Sequence, residues 1–359
     1  MLRRILAVCV GALTLGVPAI PQQSNNPPTS AKIPPEAASA QQNDLTIKTT
    51  STEVIVPVSV TDLRGKYVSD LEQKDFQILD DGRPQRIRFF SHEQKQPVVI
   101  GFLLDMSSSA RIHWKTFQDA IMELVWAVLP GDPLHTGYLI TYQTTAELAV
   151  NTTQEADKIT DKIRVLKPGG NAALFDAIYR ACTDRKLVPG EPYEPRRVIV
   201  IVGDGHDTSS KESLSQVLEL AERNLVTIYA ISTENFGFDN PDKDVLEKLA
   251  GETGGRVEYP LDNLYKDVSG YLSHPTDDGN YALDVGTGGY AAEISKGIVK
   301  AVGGIYGDIT QQYVMRYTPD NLESDTNLYH KIKVTIPELP NVNIRTKTGY
   351  WAQPVSVAR

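Results

Sequence analysis

Val98-Val99-Ile100-Gly101-Phe102-Leu103-Leu104-Asp105-Met106-Ser107-Ser108-Ser109 is the stretch on which the fold turns. An uncharged apolar run this short, opening on three β-branched residues, predicts a strand buried on both faces. It stops at a carboxylate followed by hydroxyls. A second stretch repeats the plan: Arg197-Val198-Ile199-Val200-Ile201-Val202 runs into Gly203-Asp204-Gly205-His206-Asp207. Between and after the two, helical and strand signals alternate. Trp114, Phe117, Ile121, Leu124 and Val128 recur at spacings of three and four, and 136–141 reads as a strand. Residues 174–185, 214–223 and 245–250 read as helices and 226–231 as another strand. Strands alternating with helices predict an α/β fold, a Rossmann-like parallel sheet with helices on both faces.

Outward from this unit the pattern changes. Val54, Val56, Val58 and Val60 alternate with Ile55, Pro57, Ser59 and Thr61, the period of a half-buried strand. Residues 76–79 and 86–90 read as further strands, separated by the Asp80-Asp81-Gly82 turn. After the α/β unit, 312–317, 330–336 and 342–346 are strand-like again. Short β units need more than two strands to be stable. The expectation is that residues 44–96 and 311–359 pair into one small β-sandwich, with the α/β domain of residues 97–310 inserted between them. Within that domain, 260–291 is rich in Gly, Asp and Asn and reads as an insertion loop; a helix over 292–305 would close the unit despite Gly297, Gly303 and Gly304.

At the N-terminus, Arg3 and Arg4 precede an uncharged run over 5–15 and small residues at Val17-Pro18-Ala19. This is the three-part pattern of a secretory signal peptide over residues 1–19; an uncleaved signal anchor is the alternative. Residues 20–43, rich in Pro, Gln, Asn, Ser and Ala, read as a disordered linker. An exported chain, periplasmic, envelope-bound or secreted, is expected.

Composition narrows the function classes. The 359 residues are 41% hydrophobic and 23% charged, which excludes wholesale disorder. A net charge of −9 argues against nucleic acid as partner. Two cysteines are too few for a disulfide scaffold, and Cys9 lies in the export signal, which leaves Cys182 as a buried apolar side chain. There is no Gly-x-Ser-x-Gly elbow, P-loop or dinucleotide fingerprint, and none of the six histidines forms a His-x-His pair. A non-catalytic protein is expected.

In an open α/β sheet, ligands bind beyond the carboxyl ends of the strands. Asp105, Ser107 and Ser109 alternate, which lets three oxygens converge in a tight turn, and Asp204 leaves its own strand at the same edge. Such oxygens suit a hard cation, Mg²⁺ before Mn²⁺ or Ca²⁺; Mg²⁺ takes about six of them near 2.1 Å and keeps several waters. Blander readings stand beside this one. Ser107 to Ser109 would serve as a helix N-cap, Asp204-Gly205 as a turn, and Asp207 as the cap of the following helix. His206 would be a surface residue and Asp176 structural.

Asp105-x-Ser107-x-Ser109, the loop Gly169-Gly170-Asn171-Ala172-Ala173-Leu174-Phe175-Asp176-Ala177 and Val202-Gly203-Asp204-Gly205 together resemble a von Willebrand factor A (VWA) domain, over about residues 97–310. Phe76, Asp80 to Gln85, Phe89-Phe90-Ser91, residues 313–319 and Lys347-Thr348-Gly349-Tyr350 resemble the flanks of a VWA-domain family common in acidobacteria. The resemblance implies a metal-ion-dependent adhesion site (MIDAS) that takes an acidic group from a protein partner. The chain departs from the pattern at Ala172, where the family has a threonine whose hydroxyl joins the metal shell. Asn171 is the neighbouring residue with an oxygen to offer; otherwise water takes that place. The competing reading is a metal-independent scaffold module of the cell envelope that docks through 260–291, and a remote one is a hydrolase.

Overall fold

The computed structural model describes residues 53–92, 97–111, 114–187, 195–233, 243–261, 287–320 and 328–352. The expected signal peptide, the linker and most of the 260–291 segment lie outside them.

The central sheet has six strands: β5 (Val98–Asp105), β6 (His135–Tyr142), β7 (Ala146–Thr153), β8 (Arg196–Gly203), β9 (Val226–Ser232) and β10 (Val257–Glu258). Their order is β10-β9-β8-β5-β6-β7, parallel throughout except for β7, which runs antiparallel to β6. The chain leaves β5 for β6 on one side and later places β8 on the other, so the switch point lies between β5 and β8.

Every residue of β5 is buried, because both faces are covered. Ile100, Phe102 and Leu104 join an apolar cluster with α1 (Trp114–Val128), α2 (Ala156–Arg164) and α6 (Thr287–Thr310). Val99 and Leu103 join a second cluster with α3 (Leu174–Thr183), α4 (Leu214–Arg223) and α5 (Lys243–Thr253). Cys182 is free and buried in that second cluster. Burial pushes its thiol pKa up to about 12.

The flanks form the expected sandwich. One sheet has the order β13-β1-β11-β4 and the other β14-β12-β2-β3. These strands are β1 (Val54–Asp62), β2 (Gln77–Asp80), β3 (Arg83–Gln85) and β4 (Phe89–Ser91) from before the α/β unit, and β11 (Tyr313–Tyr317), β12 (Tyr329–Thr335), β13 (Val342–Thr346) and β14 (Gly349–Trp351) from after it. Each sheet therefore mixes strands from both ends of the chain. The alternating valines of β1 face a core with Ile78, Tyr313, Met315, Tyr317, Ile332 and Tyr350.

Two expectations need correction. Residues 86–90 are not one strand: β3 pairs with β2 in one sheet and β4 with β11 in the other, so residues 86–88 carry the chain across. The helix expected over 292–305 is the longer α6, which begins within the expected insertion loop and runs on to Thr310. Two of its glycines are sites of close approach: a Cβ on Gly297 would strike Pro260 O, and one on Gly307 the Tyr67 ring. Strand β7 and helix α2 carry no clear sequence signal, because β7 is an edge strand with no fully buried residue and α2 buries only Ile159, Thr160 and Ile163.

Candidate functional site

β5 ends at Asp105 and β8 at Gly203, adjacent strand ends on either side of the switch point. The chain turns sharply after Asp105 because its Oδ1 accepts a hydrogen bond from the Ser107 N–H at 2.7 Å. That turn brings Ser107 Oγ within 2.8 Å of Ser109 Oγ. Ser109 Oγ in turn donates to Asp204 Oδ2 at 2.9 Å. Asp204 Oδ1 accepts from the His206 N–H at 3.0 Å, which fixes its carboxylate at the start of the next loop. Four of the five residues expected to hold a cation are thus linked in one oxygen-lined cluster.

Asn171, the fifth, is exposed; its N–H donates to Thr144 Oγ1 at 3.5 Å, and its side chain makes no hydrogen bond to the other four. Ala172 is buried in the apolar cluster beside α3. Its N–H donates to Thr208 Oγ1 at 3.0 Å, and its carbonyl accepts from the Thr208 and Ser209 N–H groups at 2.8 and 3.0 Å. The loop around Ala172 is therefore pinned by the segment after Asp204.

Ser108 holds the same loop from the other side. Its N–H donates to Gly170 O at 3.0 Å and its Oγ accepts from the Gly170 N–H at 3.1 Å. Asp176 plays the structural part expected of it, but Asp207 does not cap the following helix, whose N-cap is Ser213. Asp207 Oδ2 accepts from the Phe175 N–H at 3.0 Å in the first turn of α3, and Asp176 Oδ1 accepts from the Lys211 and Glu212 N–H groups at 2.9 and 3.2 Å. The Asp207 bond satisfies a donor that the start of α3 leaves open, and the Asp176 bonds tie that helix to the segment before α4.

Asp105 is 2% exposed. Its Oδ2 is buried without a hydrogen-bond partner. Burial, with a smaller push from the Asp204 charge, raises its pKa to about 6 against the hydrogen bonds from Ser107. A buried carboxylate oxygen with no partner is costly unless something positive meets it. The donor set is all oxygen, two carboxylates and two hydroxyls, which fits a hard divalent cation. Gly203 is required beside it: a Cβ there would collide with the Tyr142 hydroxyl and stand 2.9 Å from Asp105 Cβ. Tyr142 is not among the residues that the sequence singles out; its place at the end of the strand beside β5 is the one signal that points to it.

A second group of ligand-type side chains lies on the sandwich. Asp80, Asp81 and His330 bring ligand atoms within 4.8 Å of one another. They already serve each other and their neighbours. Asp80 Oδ2 accepts from the Tyr317 and Tyr350 hydroxyls at 2.8 and 2.9 Å, and His330 Nδ1 lies 2.9 Å from Asp81 Oδ2. This group reads as a polar knot that joins β2 to β11, β12 and β14.

No family model matches the chain. No curated protein matches it either. Several solved structures are similar to it. Proximal thread matrix protein 1 from the mussel byssus, with a zinc-occupied MIDAS motif, is 19% identical, with 47% of this chain and 43% of that one covered and a TM-score of 0.39. The conserved hypothetical protein BatB from Bacteroides thetaiotaomicron is 15% identical over 56% of this chain and 99% of that one, with a TM-score of 0.36. A von Willebrand factor type A structure from Catenulispora acidiphila is 11% identical over 76% and 75%, with a TM-score of 0.40. The chain thus spans less than two thirds of the length of the mussel protein. None of the three reaches a TM-score of 0.5, so the reading of the site rests on this chain's own geometry. Among the described residues no helix is long and apolar enough to cross a membrane.

Proposed function

We propose that the chain is an exported, non-catalytic interaction module that binds a hard divalent cation, Mg²⁺ first, and through it an acidic group of a partner protein. Asp105, Ser107, Ser109 and Asp204 would hold the ion. What the ion supplies is a positive centre with a free coordination position, which a carboxylate can fill. Two carboxylates balance its charge, so an incoming acidic group meets no surplus of negative charge. The protein's part is to present these oxygens at the sheet edge, and to hold the rim rigid through Ser108, Thr208 and Asp207.

The observation that carries this reading is the meeting of Ser109 with Asp204 at 2.9 Å beside the unpartnered Oδ2 of Asp105. Isothermal titration of the whole chain with Mg²⁺ tests it. Binding heat that disappears in Asp105→Ala is expected. Equal heats from the two proteins overturn the metal role. A pull-down from envelope extract, run with Mg²⁺ and with EDTA, tests the partner: capture that EDTA leaves unchanged sinks the cation-mediated contact and favours a metal-independent scaffold.

A further inference from the structure

Two of the buried polar atoms without a hydrogen-bond partner lie side by side under the candidate site: Asp105 Oδ2 and Tyr142 Oη. The sheet places them there. Asp105 pairs with Tyr142 in the β5–β6 register, and Leu104 with Val202 in the β5–β8 register, so Tyr142, Asp105 and Gly203 stand in one row across three strands. Alternation puts all three on one face: Leu103, Ile140 and Ile201, two residues before each, share the same apolar cluster. Gly203 leaves the end of that row empty. The Tyr142 ring extends from β6 past Asp105 into the gap, where a Cβ on Gly203 would collide with its hydroxyl and come within 3.3 Å of Asp105 Oδ2.

The Tyr142 side chain is fully buried. Burial first, then the carboxylates of Asp105, Asp204 and Asp207, hold its pKa well above the usual tyrosine value, so the phenol stays a neutral donor facing acceptors. Packing alone does not call for this group. A phenylalanine would fill the same space without burying a lone O–H, which is costly when unpaired. In the metal-free geometry the hydroxyl has no hydrogen-bond partner.

We propose that Tyr142 is a positioning residue of the cation site: its hydroxyl donates to Asp105 Oδ2 when an ion draws that carboxylate into its shell, and so fixes the carboxylate from beneath. The inference rests on the cation reading above. Donors behind a ligating carboxylate set its orientation and basicity, and their removal costs about 10–100-fold in metal affinity. Tyr142 would thereby supply from the sheet some of the order that the coordination loop cannot supply through Ala172.

The test is Mg²⁺ titration of the wild-type chain and of Tyr142→Phe, with the melting temperature of each in EDTA. The expected result is about tenfold weaker Mg²⁺ binding in the variant, with a metal-free melting temperature equal to or above the wild type's. Equal Mg²⁺ affinity in the two proteins overturns this inference and leaves the cation reading standing. An absence of Mg²⁺ binding by the wild type overturns both. A check that needs no variant is the crystal structure of the Mg²⁺-loaded wild-type chain. Tyr142 Oη within hydrogen-bond distance of Asp105 Oδ2 supports the assignment; a larger separation overturns it.

Discussion

Ser109 Oγ donates to Asp204 Oδ2 across 2.9 Å, although 95 positions separate the two residues. The contact exists because β8 returns to the sheet beside β5 rather than beyond β7. Any device that needs both segments is built at that junction and nowhere else along the edge. After burial, the Asp204 charge is what pushes the Asp105 pKa up, so the two acids share one small volume. A divalent ion would relieve that repulsion.

From this pairing, Asp204→Asn is expected to weaken Mg²⁺ binding at least about tenfold, because a ligand carboxylate and one unit of neutralising charge are lost together. Ser109→Ala should be milder, since a water can replace a hydroxyl. Calorimetric titration reads both. Unchanged affinity in Asp204→Asn would falsify the assignment of this residue to the ion.

Asp105 makes metal-free stability depend on pH. Its folded pKa, about 6, lies above the unfolded value near 3.8, so the folded chain holds the extra proton between them. That contribution to stability is full below about pH 4 and is lost as pH rises through 6. At pH 7 the buried charge costs about 2–3 kcal/mol. Asp105→Asn keeps an oxygen for the Ser107 N–H and removes the charge. In EDTA at pH 7 the variant should unfold at higher urea than the wild type, by an amount that shrinks towards pH 4. A less stable variant at pH 7 contradicts this assignment of the buried charge.

How much of the fold and site is legible in the sequence follows from where each signal sits. The apolar runs ending at Leu104 and Val202 are readable because strands covered on both faces leave no room for polar residues. Asp105, Ser107 and Ser109 are readable because they are local in sequence. The contact with Asp204 requires the strand order, which periodicity does not carry. Tyr142 is hidden for a further reason. Its hydroxyl matters only through the space that Gly203 leaves two strands away, and glycines end many strands with no ring to accommodate. The edge elements β7 and α2 escape detection because half-exposed segments lack a clean period.

Asp308 is expected to join the sandwich to the α/β unit energetically. It is 1% exposed near the end of α6; its Oδ1 lies 2.6 Å from Arg345 Nη2 of β13 and accepts from the Tyr67 hydroxyl at 2.7 Å. Arg256 Nε stands 3.0 Å from its Oδ2. Removing one partner of a buried ion pair strands the other charge and costs about 3–5 kcal/mol. Asp308→Ala should lose that much in urea denaturation. If Arg345→Ala loses a similar amount and the double variant little more, the pair acts as a unit; additive losses would show that it does not.

Lys347 offers the opposite case, a buried charge whose removal should help. It is 8% exposed, and its Nζ lies 5.7 Å from the centre of the Tyr350 ring. Burial lowers its pKa from 10.5 to about 8, against the pull of Glu222 and Asp80. The unfolded chain therefore binds the proton more tightly than the folded one between pH 8 and 10.5. Stability from this group is lowest below pH 8 and rises as pH climbs through that window. Lys347→Met keeps the length of the side chain and removes the charge. At pH 7 it should gain up to about 3 kcal/mol, less whatever the Glu222 and Asp80 carboxylates lose when their cation goes. The gain should fade towards pH 10, and urea unfolding at pH 7, 8.5 and 10 measures it. A methionine variant that is less stable at pH 7 would mean that the ammonium group is held by its acidic neighbours more firmly than burial opposes it.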